Sequence, residues 1–407
     1  LKESDIVIIG GGIVGMATAY QLMHRHPRLC VRVLEKEKHI CMHQTGHNSG
    51  VIHSGLYYKP GSIKATNCAK GREALIRFAK KHKIPHDNCG KILVATDEKE
   101  LPNLDRIEAR GLENGLTSIE RIGPDRIREI EPHCAGIAGL WVPYTGIINY
   151  ETVGQVMMDT FLHMGSSQGC EILTDCKVVD LSRQDGKTII QTNRGPMAAR
   201  YIIGCAGLQC DRIAKKDGVK LDIQIVPFRG DYYELVPEAH YKIRNLIYPV
   251  PDPDLPFLGV HFTRMIDGGV ECGPNAVFCF KREGYNKTDF HLRDTLESLR
   301  FWGTWRLFMR EWKYGLGEYA RAFSKRLFLK ALQRLIPDLT IEDIVTSRSG
   351  IRAQALDRKG DLLDDFRIEA TDSAIHVLNA PSPAATASLA IGETIVNMAT
   401  ERFHLGE

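Results

Sequence analysis

The stretch Asp5-Ile6-Val7-Ile8-Ile9-Gly10-Gly11-Gly12-Ile13-Val14-Gly15 decides how the rest of the chain is read. Asp5 to Ile9 is a short apolar run rich in β-branched residues, the pattern of a strand buried on both faces of a parallel sheet. From Ile13 to about His26 apolar residues return at helical spacing, with Val14, Ala17, Tyr20 and Leu22 among them. Val31-Arg32-Val33-Leu34-Glu35 reads as a second strand, so the chain opens with a complete βαβ unit.

The spacing Gly10-x-Gly12-x-x-Gly15 meets three needs. Gly10 permits a tight turn off the strand, Gly12 lets the backbone approach a pyrophosphate, and Gly15 lets the helix pack closely on the sheet. The helix N-terminus, from Ile13 and Val14, then offers free N–H groups and partial positive charge to phosphates. A glycine loop alone is a weak sign. Here it follows a strand, opens a helix, and is answered by Glu35 twenty residues after Gly15. A carboxylate at that strand end accepts hydrogen bonds from both ribose hydroxyls and repels a 2′-phosphate, which argues against NADP.

The 407 residues are 43% hydrophobic and 25% charged, enough for a sizeable core and, as a prior, two or three domains. A formal net charge of +3 makes no case for nucleic acid. The eleven cysteines show no metal-ligand spacing and fit a reducing compartment, as buried small apolar residues. No apolar run is long enough to span a bilayer. The numbering starts at Leu1 and strand-like sequence follows at once, so any targeting peptide is expected outside this chain.

Further along, Lys91 to Thr96 reads as a strand, and Glu98 to Gly115 and Tyr150 to Met164 as helices. Strand patterns follow at Glu171 to Thr174, Lys177 to Leu181, Thr188 to Thr192 and Tyr201 to Gly204. From Asp222 to Val277 strand succeeds strand, with turns at Pro237, Pro251-Asp252-Pro253 and Asp267-Gly268-Gly269, which predicts a largely antiparallel sheet. Residues 295–336 are helical and basic; Ile375 to Leu378 is a strand, and Thr386 to Ala399 a helix. The expected fold is α/β, or α+β taken as a whole. A Rossmann-like dinucleotide domain is assembled from residues 1–85, 145–220 and 340–407, with a substrate domain from 86–144 and 221–339.

Three small-residue loops favour FAD over NAD. Cys41 to Gly50 is polar and glycine-containing, suited to run beneath a pyrophosphate toward a flavin. The strand Tyr201-Ile202-Ile203-Gly204 ends in Cys205-Ala206-Gly207, and Asn379 to Thr386 enters another helix whose N-terminus suits negative charge at flavin N1 and O2. One such loop is unremarkable; three in one chain suit a long, two-ended cofactor. The residues expected to contact it are Gly10, Gly12, Ile13, Val14, Gly15, Glu35, Lys36, Thr45, Asn48, Ser49, Gly50, Val178, Ala206, Gly207, Ser382, Pro383, Ala384 and Ala385. No metal is expected.

Long ordered segments then carry a resemblance: His43 to Gly55, Val226 to Tyr232, Pro256 to Thr263, Gly350 to Asp357, and the Asn379 to Thr386 loop. On these the chain resembles the D-amino-acid-oxidase-like superfamily of FAD enzymes and, within it, the L-2-hydroxyglutarate dehydrogenases, over nearly its whole length. The resemblance implies oxidation of L-2-hydroxyglutarate to 2-oxoglutarate, with hydride passing from C2 to flavin N5. It also implies a mitochondrial enzyme associated with the inner membrane; whether O₂, a quinone or an electron-transfer flavoprotein reoxidises the flavin stays open in the sequence. Two alternatives stay open: another flavin enzyme of the superfamily, acting on an amino acid or glycerol 3-phosphate, and a flavin-binding membrane adaptor without turnover.

Such an oxidation needs a base for the hydroxyl proton and cations for the carboxylates. In related flavin oxidases an arginine in a similar Gly-x-Arg context clamps the substrate carboxylate, which singles out Arg352; the other reading of Arg352 is an ion pair. His53 and His261 are the candidate bases, the latter inside the apolar strand Leu258-Gly259-Val260-His261-Phe262. Tyr57, Lys64 and Arg264 are candidates for the distal carboxylate of the dicarboxylate, beside Tyr58. Arg229 either binds substrate or pins its strand. Some members of the superfamily attach FAD through a histidine in a similar stretch, which makes His47 a candidate for a covalent bond.

Nine lysines and arginines lie between Arg300 and Arg334, opposed there only by Glu311 and Glu318. Three of the four tryptophans, Trp302, Trp305 and Trp312, are interleaved with them. One reading is helices with solvated basic faces. The other is peripheral contact with a membrane, aromatics entering the headgroups and cations meeting anionic lipid.

Overall fold

The computed structural model describes residues 2–253 and 258–406. Pro256 and Phe257, which begin one of the family-like segments, lie outside the described residues.

The opening βαβ unit forms as read: a strand at Lys2–Ile9, a helix at Ile13–Arg25 and a strand at Val31–Leu34. Around it an eight-stranded sheet assembles from distant segments. Lys2–Ile9 lies parallel to Val31–Leu34 on one side and to Gly195–Gly204 on the other, and Val31–Leu34 is followed by Glu171–Leu173. Gly195–Gly204 changes partners along its length. Its first half pairs antiparallel with Lys187–Thr192, and its end pairs parallel with Ala374–Asn379. Ile13–Arg25 packs against Tyr150–Met164 and Ser388–Arg402, so residues from both ends of the chain share one core of Ile6, Met16, Val33, Ile203, Ile375 and Ile395.

The second sheet has nine strands and is mostly antiparallel, as the turn-punctuated pattern predicts. Its longest pair is Ile223–Leu235 against Ile344–Asp357, which corrects one expected boundary. Residues 344–357 were placed with the dinucleotide-binding segments, yet they belong to this sheet, with Phe228 opposite Arg352 and Gly230 opposite Gly350. A pairing between strands over a hundred residues apart leaves no local pattern to read. Strand Lys91–Ala95 joins the same sheet, parallel to Leu246–Pro249 and antiparallel to Ala138–Val142.

A helix over Ile63–Lys81, which the sequence reading left unassigned, is capped by Ser62, whose side chain accepts a hydrogen bond from the Ala65 N–H. Gly71 lets it approach the C-terminal helix: a Cβ there would stand 2.5 Å from the Ala387 Cα. The basic segment folds as helices Leu292–Arg300, Trp302–Phe323 and Lys325–Leu332, with non-helical backbone at Glu311. All eleven cysteines are free thiols.

Candidate active site

A cleft of about 1240 Å³ runs between the two sheets, larger than the roughly 300–1,000 Å³ usual for a drug-sized ligand. It is lined by Gly10, Gly12, Ile13, Val14, Glu35, Lys36, Thr45, Asn48, Ser49, Val178, Ala206, Gly207 and the run Ser382 to Ala385. It is also lined by His53, Tyr57, Lys64, His261 and Arg352. Segments from near both ends of the chain therefore meet on one surface.

The three glycines of the loop divide their tasks. Gly10 has φ +115°, and a Cβ on it would lie 2.3 Å from the Cys205 carbonyl oxygen. A Cβ on Gly15 would lie 2.0 Å from the Gly10 carbonyl oxygen, so that glycine serves helix–strand packing and does not line the cleft. Gly12 differs: its Cβ would meet only Thr45 Oγ1, at 3.5 Å. Protein packing does not demand glycine there; the open space it borders is where a phosphate would approach the backbone. This is the fit expected for the dinucleotide.

The neighbouring groups are held by one another. Glu35 accepts hydrogen bonds from the Gly11 N–H at 2.7 Å and the Glu37 N–H at 2.9 Å, which aims the carboxylate along the loop. Thr45 Oγ1 accepts from the Ile13 N–H at 3.0 Å. Asn48 holds its own segment in shape, donating to the Gln44 carbonyl and accepting from the Gly50 N–H. Gly50 has φ +66° and lines a smaller neighbouring pocket, not the main cleft, so its part is to turn the loop. Lys36 is engaged by Glu37 and by Glu283 at 3.0 Å. His47 Nδ1 donates to the Ser349 carbonyl at 2.9 Å, and its ring stacks on Tyr285.

A second neighbourhood of the cleft holds His53, His261, Arg352, Tyr57 and Lys64. His261 is buried at the start of strand His261–Arg264, and its Nδ1 contacts the Gly259 carbonyl at 3.0 Å. A carbonyl only accepts, so Nδ1 carries the proton and Nε2 presents a lone pair. Burial, with Arg352 and Lys91 nearby, lowers its pKa to about 4. His53 follows the two-residue strand Val51–Ile52; its backbone N–H donates to Thr386 Oγ1, and its Nε2 lies 3.4 Å from Ser382 Oγ. Burial and the charges of Lys91, His261 and Lys64 lower its pKa to about 3. Both imidazoles are therefore neutral at pH 7.

Arg352 donates through Nη1 to the Asn275 carbonyl at 3.2 Å. Gly230, on the facing strand, leaves it room: a Cβ there would come within 3.1 Å of that nitrogen. Lys64, in the first turn of its helix, pairs with Asp364 at 2.8 Å. Two arginines stand elsewhere. Arg229 points off the other sheet face, where Asp231 holds it at 2.7 Å and it donates to the Asn286 carbonyl, so it pins its strand. Arg264 is removed from the cleft: three residues after His261 on a strand it faces the opposite side, and it pairs there with Asp87.

Three residues that the sequence does not mark for the site belong to it. Tyr150 donates to the Val51 carbonyl at 2.9 Å and contacts Thr386 Oγ1 at 2.8 Å, tying the C-terminal loop to the His53 segment. Tyr248 lies against His261, ring centroids 4.0 Å apart. Lys91 is only 2% exposed in the apolar strand Lys91–Ala95. His261 stands out in sequence as a polar residue inside an apolar run, whereas Lys91 stands at the first position of its strand, where a lysine is unremarkable.

The family model described as FAD dependent oxidoreductase matches residues 5–398. A relative named L-2-hydroxyglutarate dehydrogenase, from Indibacter alkaliphilus, is 48% identical over 98% of this chain and 100% of its own. One from Nematostella vectensis, named L-2-hydroxyglutarate dehydrogenase, mitochondrial, is 45% identical over 99% and 92%. Among solved structures, dithionite-reduced L-alpha-glycerophosphate oxidase from Mycoplasma pneumoniae, with FAD bound, superposes with a TM-score of 0.79 over 98% of this chain and 95% of that one; at 22% identity this likeness concerns the fold.

Proposed function

This chain belongs to the FAD-dependent oxidoreductases and groups there with the L-2-hydroxyglutarate dehydrogenases, and from that premise we propose that it oxidises L-2-hydroxyglutarate to 2-oxoglutarate. FAD is its cofactor. Glu35 would hold the ribose, and Gly12 with the N-terminus of Ile13–Arg25 the pyrophosphate. Ala206, Gly207 and Ser382 to Ala385 would flank the rest. When bound, FAD supplies the two-electron acceptor that no side chain provides.

The observation that carries the reading is the placement of His261 and Arg352 on one cleft wall, the first with its Nε2 lone pair available. In this reading Arg352 grips the C1 carboxylate and so fixes C2. His261 Nε2 takes the C2 hydroxyl proton as the C2–H bond breaks. His53, held beside Ser382, bounds the same space. Asp364 is engaged by Lys64, which leaves an amine substrate poorly served here. A non-catalytic adaptor has no need of these groups on one wall. The test is anaerobic mixing of the purified holoenzyme with each isomer. Bleaching of the oxidised flavin by L-2-hydroxyglutarate and not by the D-isomer is expected. Bleaching by glycerol 3-phosphate or an amino acid instead would overturn the proposal.

The helix Trp302–Phe323 supports a second reading, contact with an anionic membrane surface. Trp302, Trp305 and Met309 are exposed at spacings of three and four residues, one stripe on the helix before the break at Glu311, and Trp312 and Leu316 are exposed beyond it. Lys313 lies over the Trp312 ring and Arg306 over Trp302, cations beside the exposed rings. Arg310, Arg321 and Arg334 are partly neutralised by Asp361, Glu318 and Glu100. No described helix is long and apolar enough to cross a membrane, so the contact proposed lies in the plane of the surface. A mitochondrial setting for it comes from the name of the Nematostella relative. Sedimentation with cardiolipin-containing vesicles should carry the protein down and replacement of the three tryptophans should release it; no binding at physiological salt would end this reading.

A further inference from the structure

Lys91 stands in the wrong company for a lysine. Its strand neighbours Leu93 and Ala95 face a core of Leu140, Leu246 and Tyr248, and no carboxylate reaches it among the described residues. Its Nζ lies 4.5 Å from the Tyr57 ring centroid and 4.8 Å from that of Tyr248, and donates to Tyr57 Oη at 3.1 Å. Burying an ammonium without a counter-ion is costly, so the site is electrostatically incomplete.

Tyr57 shows where the missing anion goes. Its oxygen already accepts from Lys91, so its own hydrogen points elsewhere, and Tyr57 lines the cleft while Lys91 stands behind it. Burial holds the Tyr57 phenol well above its ordinary pKa, so it remains a donor. An ammonium on the far side polarises that O–H and strengthens the bond it donates.

We propose that Lys91 and Tyr57 form the receptor for the distal carboxylate of the substrate, Tyr57 donating the hydrogen bond and Lys91 supplying the charge behind it. This deepens the reading of the cleft as a dicarboxylate site and rests on it. Lys91 is a specificity-determining, positioning residue: it selects a chain that ends in an anion and sets the distance from Arg352 at which that anion is received. Lys64, already paired with Asp364, is the lesser contributor.

Burial lowers the Lys91 pKa to about 7. The groups facing it are Tyr57 and Tyr248, with Cys68, His53 and His261 acting at longer range. The histidines are neutral and the tyrosines protonated near pH 7, so Lys91 is the group that changes charge there. Affinity for a distal carboxylate is then highest below pH 7 and falls above it.

The test reads binding, not turnover. Oxidised holoenzyme is titrated with 2-oxoglutarate and with 2-oxopentanoate, the same carbon chain without the distal carboxylate, and the visible flavin spectrum gives each Kd. The natural protein should prefer the dicarboxylate by at least about 30-fold, consistent with one charged hydrogen bond. Lys91→Met and Tyr57→Phe should each reduce that preference about tenfold or more, mainly by weakening 2-oxoglutarate. Lys91→Arg should keep it and abolish its decline above pH 7. A Lys91→Met holoenzyme with full FAD content that retains the preference would overturn the proposal. Should Lys91→Met fail to fold, Tyr57→Phe and the pH dependence of Lys91→Arg decide the matter in the same two directions. Absence of flavin bleaching by L-2-hydroxyglutarate, with the carboxylate preference intact, would instead strike the oxidation reading and leave the receptor standing.

Discussion

Lowering the pH tests the assignment of the base most directly. A histidine with an ordinary pKa near 6.5 is about half unprotonated at pH 6.5 and about 9% at pH 5.5, so a reaction that needs its lone pair would slow about fivefold across that unit. His261 is buried and its pKa is lowered to about 4. Lowering means that the neutral form persists to more acid pH: at pH 5.5 about 97% still carries the lone pair. The second-order rate constant for flavin bleaching by L-2-hydroxyglutarate, followed by anaerobic stopped flow, should therefore be level between pH 5.5 and 6.5. Lys91, with its pKa lowered to about 7, lies on the other side of that window, and the substrate carboxylates titrate below it. His53, lowered to about 3, leaves the same plateau. Variants separate the two histidines: His261→Asn should cost about 10²–10⁴ in rate and His53→Asn much less. A fivefold fall toward pH 5.5 would refute the argument from burial, and a faster His261→Asn than His53→Asn would refute the choice of base.

Four further outcomes follow from single contacts. Arg352→Lys loses the paired geometry on the C1 carboxylate, so kcat/KM in steady-state assays should fall about 10- to 150-fold, and an unchanged value would remove Arg352 from the clamp. Asp211→Asn leaves the fully buried Arg282 with only its longer pair to Glu297 at 3.4 Å in place of the Asp211 pair at 2.5 Å, and urea unfolding should show a loss of about 3 kcal/mol. Gly15→Ala places a Cβ 2.0 Å from the Gly10 carbonyl oxygen, so holoprotein should show a lower Tm and weaker FAD retention on a desalting column. His47 is held by the Ser349 carbonyl and by stacking on Tyr285, so acid precipitation should leave the yellow flavin in the supernatant; colour in the pellet would point to a covalent bond.

Much of this molecule was readable from residues close together in the chain. The Gly10 to Gly15 loop with Glu35 declared a dinucleotide site because turn, helix start and strand end are local events governed by nearby residues. The helix Tyr150–Met164 and the strands around 91 and 375 followed from periodicity for the same reason. His261 announced itself as a polar residue in an apolar run. Which of these residues meet was decided elsewhere. Strand Ile344–Asp357 is paired with residues more than a hundred positions away, and that pairing puts Arg352 into the cleft and turns Arg229 out of it. Arg264 and His261 are three residues apart, yet alternation along the strand sends one to Asp87 and leaves the other against Tyr248. The helix carrying Lys64 is helical because it packs on the C-terminal helix, not because of any strong pattern of its own. Lys91 is the plainest case: in sequence it is one lysine among many. Only the closing of Tyr57 and Tyr248 around it makes it a buried cation, because burial is set by contacts between segments far apart in the chain.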